Sequence, residues 1–295
     1  MTDKMKIAFV GLGSMGLPMA QNLVQAGYSV RGFDIRTEAM DALVNAGGEP
    51  VLTLQTACEN ATILILMVVN IDQAHTVLID KGALTALPHG AHVCLMATCP
   101  PDAVKRLAED VAASGKVLVD APVSGGVVGA KGGTLTIMVG APEEAYNTVA
   151  PILRTMGDKL FYCGPKQGQG AVVKAINQLL CGVHLTAAAE ALALGEKAGV
   201  DSATLLEIVA GSAASSWMLK DRGARMLMEK PPVTSAVDIF VKDLGIALAA
   251  GRSVNMGLPL AAAAHQMFLS ESGSGNGLAD DSQVIAAYRR LNGIS

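Results

Sequence analysis

The sequence predicts an α/β fold, a doubly wound parallel sheet followed by an all-α domain, and two features support this prediction. In the first half, short apolar runs typical of buried strands alternate with stretches of helical periodicity. After residue 170 the strand-like runs stop, and the remainder is alanine-rich with a helical period. Because 295 residues suffice for two modest domains, we place a boundary near residue 164.

The predicted elements follow from these runs in order. Strands are expected within residues 6–13, 29–36, 61–69, 92–98, 116–123 and 133–141. A helix continues through residues 18–25, after the first strand and its glycine-rich turn. The first domain thus covers residues 1–164, and the second, residues 165–295, opens with a long interdomain helix from about 168 to 198.

Composition excludes several classes of partner. The net charge of −4 is spread along the chain without a basic block, so nucleic acid is not expected as a partner. The N-terminus lacks a signal peptide's apolar region, and long uncharged runs such as residues 253–270 contain polar residues, which indicates buried helices and no membrane span. Five cysteines without a C-x-x-C pair indicate a reducing cytoplasm, and no H-E-x-x-H motif supports a metal site.

The stretch GLGSMGLPMAQNL at residues 11–23 has the spacing G-x-G-x-x-G and lies between a predicted strand and a helix. An ordinary tight turn would explain one glycine. In a dinucleotide-binding turn, Gly11 permits the tight bend, Gly13 admits the pyrophosphate, and Gly16 allows close helix–strand packing. The spacing and its context therefore predict dinucleotide binding.

Two charged residues at the end of the second predicted strand determine which dinucleotide is expected to bind. Asp34 lies at the distance expected of a carboxylate that accepts hydrogen bonds from both ribose hydroxyls, and it would repel a 2′-phosphate. Arg36, two residues further on, could instead bind that phosphate. The sequence favours NAD and leaves NADP open.

A lysine in the long helix is the main catalytic candidate. Lys174 and Asn177 lie three residues apart and share a helix face, and Lys174 is the only charged residue between Lys166 and Glu190. Partial burial would lower the pKa of Lys174 and make it a general acid/base for a hydroxyl proton, with Asn177 orienting the hydroxyl. The alternative is a solvated surface lysine, as most lysines are.

Two further segments have a functional and a structural interpretation. In PVSGGVVGAKGG, Ser124 and the N–H groups of Gly125 and Gly126 could hold a carboxylate, or the segment could be a flexible hairpin loop. In DIFVKDLG, Lys242 could serve the active site, or it could pair with Asp238 or Asp243.

These segments together resemble the β-hydroxyacid dehydrogenase family over nearly the whole chain. The resemblance lies in GLGSMGLPMAQNL, DAPVSGGVVGAKGGTLTIMVGA, VVKAINQL and FVKDL. It implies a Rossmann-like domain followed by a helical domain that helps to form a homodimer or homotetramer. It also implies hydride transfer between a nicotinamide cofactor and a small hydroxy acid.

The resemblance assigns roles to individual residues. Lys174 is implied as the catalytic lysine and Asn177 as its substrate-binding neighbour, and Ser124, Gly125 and Gly126 as the loop that binds the substrate carboxylate. Lys242 is implied close to both nicotinamide and substrate. The implied cofactor-binding residues share positions in turns that follow strands: Gly11, Leu12, Gly13, Ser14, Met15, Gly16, Asp34, Arg36, Val68, Val69 and Thr98. This sequence departs from the family where Val68-Val69 replaces Leu-Pro, and where only Thr98 keeps a hydroxyl of the Asp-x-Ser-Ser element.

The substrate is expected to be a hydroxy acid of three or four carbons. The segments ILMVVN, SSWM and TSAVDIFVKDLG are most similar to the family branch acting on four-carbon acid sugars, which implies oxidation of L-threonate at C2. 3-Hydroxyisobutyrate and tartronate semialdehyde remain alternatives, as do imine reduction and a catalytically silent NAD-binding regulator. Ser215, Ser216 and Thr234 are candidates to bind the distal hydroxyls, whereas Trp217 is interpreted first as interdomain core and second as a substrate wall.

Overall fold

The computed structural model describes residues 5–294, and the first part of the chain forms a sheet of eight strands there. The strands are β1 (Lys6–Val10), β2 (Ser29–Phe33), β3 (Ile63–Leu66), β4 (His92–Leu95), β5 (Val117–Asp120), β6 (Val123–Ser124), β7 (Thr136–Gly140) and β8 (Lys159–Gly164). Strands β1 to β5 and β7 lie within the six predicted runs. Strand β8 was not predicted, and unlike the buried strands β3 to β5 it has no buried residue, with Phe161 and Tyr162 exposed.

The sheet is doubly wound but mixed in direction at one end. Its order is β2-β1-β3-β4-β5-β7-β6, and β8 pairs with β7. Strands β1 to β5 are parallel, whereas β7 runs antiparallel to β5 and β6. The expectation of a wholly parallel sheet is thus wrong for β7, and β8, which is parallel to β7, shares its reversed direction. An apolar run carries no information about the direction of its strand.

Helices cover both faces of the sheet. They are α1 (Gly16–Gln25), α2 (Thr37–Asn45), α3 (Leu54–Cys58), α4 (Ile71–His75), α5 (Ala83–Ala86), α6 (Pro101–Ala113), α7 (Gly126–Gly132) and α8 (Glu143–Leu153). Successive residues of β1 point to opposite faces, so Ile7 and Phe9 join one buried apolar cluster while Ala8 and Val10 join another. Two cores on one sheet confirm the predicted doubly wound class.

The remaining helices form a second unit. They are α9 (Gln169–Lys197), α10 (Ser202–Gly211), α11 (Trp217–Met226), α12 (Val237–Ser253), α13 (Pro259–Glu271) and α14 (Val284–Leu291). Contacts divide the chain into two compact units between Lys174 and Ala175, inside α9. The first turn of α9 belongs with the first unit, because Ala171 joins an apolar core cluster of the sheet.

The second unit is held together by its own apolar core. Leu185 and Leu192 of α9 pack in a cluster with Phe240 of α12 and Phe268 of α13, whose rings stack at 4.9 Å between centroids.

Helix α9 is the one helix within residues 5–294 that is long and apolar enough to cross a membrane. Core helices meet the same criterion, and Leu185 and Leu192 of α9 pack in the core of the second unit.

Candidate active site

The glycine-rich turn between β1 and α1 has two glycines that the fold itself requires. Gly11 has φ +93°, and a Cβ there would overlap the carbonyl oxygen of Met67, while a Cβ at Gly16 would overlap that of Gly11. At Gly13 the nearest atom to a Cβ would be Nη2 of Arg36, at 3.9 Å. The chain's own packing thus leaves space at Gly13, which fits the approach of a dinucleotide pyrophosphate.

Asp34 is a buried carboxylate tied to this turn. Its Oδ2 accepts the N–H of Leu12 at 2.7 Å, and its Oδ1 accepts the backbone N–H and the Nε–H of Arg36 at 2.9 and 3.1 Å. Burial acts to raise the pKa of Asp34, but the hydrogen bonds from Arg36 and Leu12 outweigh it and hold the pKa below its ordinary value. Asp34 is therefore ionised at neutral pH.

The residues around Asp34 differ in exposure. The guanidinium of Arg36 donates from Nη2 to the carbonyl oxygen of Leu12 at 3.2 Å, and its side chain remains 57% exposed. Ser14 is exposed, whereas Leu12 is buried and Met15 packs against the core. Met15 can therefore offer a ligand mainly its backbone, and Arg36 can offer a charge. The N–H and the carbonyl oxygen of Leu12 are already bonded to Asp34 and Arg36.

Further candidates lie after neighbouring parallel strands. Val10, Leu66 and Leu95, which end β1, β3 and β4, are paired in register. The turn containing Val68 and Val69 follows β3, and the carboxyl ends of parallel strands are where α/β sheets bind ligands. The Val69 N–H donates to Oε1 of Gln73 at 3.0 Å, so a side chain sets this turn in place of the family's proline. Thr98 likewise follows β4.

The Ser-Gly-Gly segment is not the flexible hairpin that its composition allowed. Ser124 pairs with Thr136 of β7, and helix α7 begins at Gly126. Gly125 and Gly126 have φ of +130° and +61°, conformations that L side chains rarely adopt. Two consecutive glycines are thus required by the backbone that links β6 to α7.

Lys174 is buried, which contradicts the alternative of a solvated surface lysine. The residue is 6% exposed on α9. Asn177, three residues further along the same helix, donates from Nδ2 to Oε1 of Gln178 at 3.0 Å and to Sγ of Cys181 at 3.5 Å. Asn177 is thus oriented by its own helix, on the face that it shares with Lys174.

Lys242 takes part in a buried polar network of the second unit. Its Nζ lies 3.2 Å from Oδ1 of Asp243, so one of the two ion pairs considered from the sequence is present. Asp243 is 2% exposed and its Oδ2 also accepts a hydrogen bond from Nε2 of Gln178. The other proposed partner, Asp238, instead accepts a hydrogen bond from Ser272.

The candidates for binding distal hydroxyls have different roles in the structure. Ser216 caps α11, because its Oγ accepts the N–H of Leu219 at 3.0 Å, and Thr234 donates to Asp280 at 3.2 Å. The Oγ of Ser215 is buried and makes no hydrogen bond within residues 5–294. Trp217 was expected in an interdomain core, and this is wrong: it is 61% exposed at the start of α11, where Met218 and Leu219 are buried instead.

Sequence reasoning missed one buried carboxylate beside these candidates. Asp120 ends β5 within the quoted segment DAPVSGG, and it is 1% exposed. The sequence contains one signal for it, because Asp120 is a charged residue at the end of an apolar run. A carboxylate buried there without partners would cost free energy, so hydrogen-bond donors are expected nearby.

Two family models match the chain in succession. Residues 6–164 match the NAD-binding domain of 6-phosphogluconate dehydrogenase. Residues 168–288 match a family described as the NAD-binding part of NADP-dependent 3-hydroxyisobutyrate dehydrogenase. The fold and these matches together define a dehydrogenase with a nicotinamide dinucleotide cofactor.

Similar proteins narrow this class further. The chain is 41% identical to the L-threonate dehydrogenase of Cupriavidus necator over 96% of its own length and 95% of that protein. It is 37% identical to the 3-hydroxyisobutyrate dehydrogenase of Pseudomonas aeruginosa, with 91% of each chain covered. A crystal structure described as 3-hydroxyisobutyrate dehydrogenase from Salmonella typhimurium superposes with a TM-score of 0.90 at 35% identity, covering 95% of this chain and 98% of that one. The chain belongs to the β-hydroxyacid dehydrogenase family, and it is an enzyme acting on a small hydroxy acid.

Proposed function

We propose that this enzyme oxidises L-threonate at C2 to the 2-oxo acid with NAD, using Lys174 as general acid/base. The observation that carries the proposal is the burial of Lys174, one helical turn before the amide group of Asn177 on α9. A similar protein named L-threonate dehydrogenase, 41% identical over nearly the whole chain, supports the choice of substrate. A silent NAD-binding regulator would need only the glycine turn, so Lys174, Asn177 and the Ser-Gly-Gly loop together disfavour it.

The proposed reaction separates one proton and one hydride. The Lys174 amine takes the proton of the C2 hydroxyl. A nicotinamide dinucleotide held at the Gly13 turn and Asp34 would supply the acceptor for the hydride from C2. The side-chain amide of Asn177 orients the hydroxyl through a hydrogen bond. In reduction, Lys174 returns the proton to the oxygen.

Ser124, Gly125 and Gly126 are proposed to bind the carboxylate of the substrate. The positive φ values of both glycines support this role, since they are backbone conformations that need glycine, and no side chain at Gly125 or Gly126 blocks the approach of a carboxylate to their N–H groups. A carboxylate held there would fix which carbon faces the nicotinamide. We propose that Lys242, paired with Asp243, contributes a positive charge beside substrate and cofactor.

The choice of NAD over NADP is proposed from Asp34. An ionised carboxylate with its pKa held low accepts hydrogen bonds from ribose hydroxyls and repels a 2′-phosphate. The partly exposed guanidinium of Arg36 is the feature that favours NADP, but it already pairs with Asp34. We therefore expect NAD to be preferred, with some activity towards NADP.

A homo-oligomer is proposed from the exposed side of α9. Ile176, Leu180 and Leu194 are 57%, 49% and 70% exposed, and helix periodicity places them on one face, opposite Lys174. A second copy of the chain would cover this apolar stripe without using the face of Lys174. Light scattering should show a dimer or tetramer, and Leu180→Glu should lower the mass. Among residues 5–294 none of the five cysteines forms a disulfide, which supports the proposal that the enzyme is cytoplasmic.

The substrate assignment is tested by comparing kcat/KM for L-threonate, 3-hydroxyisobutyrate and tartronate semialdehyde, each with NAD(H) and NADP(H). We expect L-threonate with NAD to give the highest value, because a site built to bind hydroxyl groups rejects an analogue that lacks them. A preference for 3-hydroxyisobutyrate would contradict the substrate assignment and leave the role of Lys174 intact. No turnover of any hydroxy acid would favour the silent regulator.

A further inference from the structure

Asp120, the last residue of β5, is a buried carboxylate that takes no part in the proposed reaction steps. Its Oδ2 accepts hydrogen bonds from the N–H of Gly168 at 2.9 Å and from the N–H of Ala171 at 2.8 Å. Both donors belong to the start of α9, which begins at Gln169. A carboxylate from the sheet therefore holds the beginning of the helix that carries Lys174.

The sequence before α9 supplies no side chain at the usual capping position. The first N–H groups of a helix lack partners within the helix, and a preceding Ser, Thr, Asp or Asn commonly accepts from them. Residue 168 is glycine with φ +89°, so it has no side chain to offer. Asp120, 48 residues earlier in the chain, takes over this function.

Close backbone contacts fix the same turn. A Cβ at Gly170 would overlap the carbonyl oxygen of Met138 and lie 2.9 Å from the carbonyl oxygen of Asp120. A Cβ at Gly140 would lie 2.8 Å from the nitrogen of Gly170 and 2.8 Å from the carbonyl oxygen of Lys166. The first turn of α9 thus rests directly on the ends of β5 and β7.

The ionisation of Asp120 depends on this contact. Burial raises the pKa of Asp120 to about 7, and hydrogen bonds from Ala171, Gly168 and Gly170 act in the opposite direction. The three bonds that favour the carboxylate over the neutral acid therefore come from the start of α9. The same hydrogen bonds therefore hold the start of α9 and stabilise the charged form of Asp120.

We propose that Asp120 is a positioning residue for the reaction, which fixes the place of the Lys174 amine by holding the first turn of α9. Lys174 follows Ala171 by three residues, about 4.5 Å along the axis, so a shift of the first turn moves Lys174 with it. A displacement of about 1 Å in a reacting group can lower a rate roughly 100-fold. This inference rests on the proposed role of Lys174 as general acid/base.

The test compares Asp120→Ala and Asp120→Asn in the full-length enzyme with NAD and L-threonate. For Asp120→Ala we expect kcat to fall at least about tenfold, with KM and the Kd for NADH within about threefold of the wild type. Amide hydrogen exchange should become faster in residues 168–174. Asp120→Asn should be intermediate in both measurements, because its amide oxygen still accepts hydrogen bonds but carries no charge.

Asp201→Ala is the matched control. The Oδ1 of Asp201 accepts the N–H of Thr204 at 2.8 Å, so it also caps a helix, but that helix is α10 and does not carry Lys174. We expect faster exchange at the start of α10 and an unchanged kcat. The control separates loss of a helix cap in general from displacement of Lys174.

The inference is overturned if folded Asp120→Ala keeps kcat within twofold of the wild type. Should Asp120→Ala fail to fold, Asp120→Asn decides: unchanged exchange in residues 168–174, or faster exchange with wild-type kcat, overturns the inference. Lys174→Ala is measured alongside. If Lys174→Ala keeps its turnover, the proposed function is contradicted. If Lys174→Ala is inactive and Asp120→Ala has normal kcat, only the positioning role of Asp120 is contradicted.

Discussion

Two strand-to-helix junctions of the first unit, β1–α1 and β8–α9, use glycine in opposite ways. Helix α1 begins at Gly16, and the preceding Met15 makes no capping hydrogen bond with its side chain. The start of α9 is equally rich in glycine, but there Asp120 accepts the N–H groups of Gly168 and Ala171. One junction has room at Gly13 for a bound molecule, and the other is packed against a carboxylate of its own chain.

The difference teaches that glycine spacing alone does not identify a phosphate-binding turn. Both junctions contain glycines that the protein's own packing requires, and only β1–α1 also contains one, Gly13, that this packing does not require. A Cβ at Gly170 collides with the backbone of Met138, so that glycine is explained by the fold. A Cβ at Gly13 would meet only the end of the Arg36 side chain, so the fold does not require that glycine, and we propose that the pyrophosphate of the cofactor does.

The largest effect is expected at Lys174, which lies on α9. Lys174→Ala should lower kcat by at least about 100-fold while folding and NADH binding remain, because the general acid/base is lost. Lys174→Arg should fail as well, since a guanidinium does not release its proton near neutral pH. Steady-state kinetics and NADH titration provide the measurement.

Lys197→Ala is the control for this pair, because Lys197 lies exposed on the same helix. It should keep wild-type kcat. Near-normal turnover in either Lys174 variant would mean that α9 does not supply the acid/base group.

The second prediction concerns the space at Gly13. Gly13→Ala should weaken NADH binding at least about tenfold, roughly 1.4 kcal/mol, while the Tm of the free enzyme stays unchanged. The added methyl group meets no protein atom within 3.9 Å but occupies the approach of the pyrophosphate. Calorimetry gives the Kd and thermal unfolding gives the Tm.

Gly257→Ala is the matched control, since a Cβ there has nothing within 4 Å and no ligand is proposed nearby. Both its Tm and its NADH affinity should equal the wild type. Unchanged NADH affinity in Gly13→Ala would contradict dinucleotide binding at the β1–α1 turn and favour the alternative of an ordinary tight turn.

A smaller change is expected at Asp34. In Asp34→Ser, the ratio of kcat/KM for NAD to that for NADP should fall about tenfold, because a carboxylate that repels the 2′-phosphate is removed and Arg36 is released from its ion pair. A wild-type enzyme that prefers NADP would show that Arg36 controls the pocket.

The features that could be predicted from the sequence are those that depend on residues close together in the chain. The turn at Gly11 and the helix covering Lys174 follow from spacing and periodicity within short windows, and the structure has both. The Asp120 contact joins residues 48 positions apart, and no local pattern encodes it. The antiparallel direction of β7 and the exposure of Trp217 likewise depend on tertiary packing, which binary patterns do not specify.

The smallest effect is expected where a helix is capped locally. Ser216 accepts the N–H of Leu219 at the start of α11, so Ser216→Ala should lower the free energy of unfolding by about 1 kcal/mol. Since that hydroxyl is already engaged, KM for L-threonate should stay within twofold of the wild type.

Ser215→Ala is the matched variant: its buried Oγ makes no hydrogen bond in the described part of the chain, so its loss should leave stability unchanged. Urea unfolding and steady-state kinetics of both variants make the measurement. A raised KM in Ser216→Ala without loss of stability would show that α11 binds substrate through the hydroxyl that here caps its first turn.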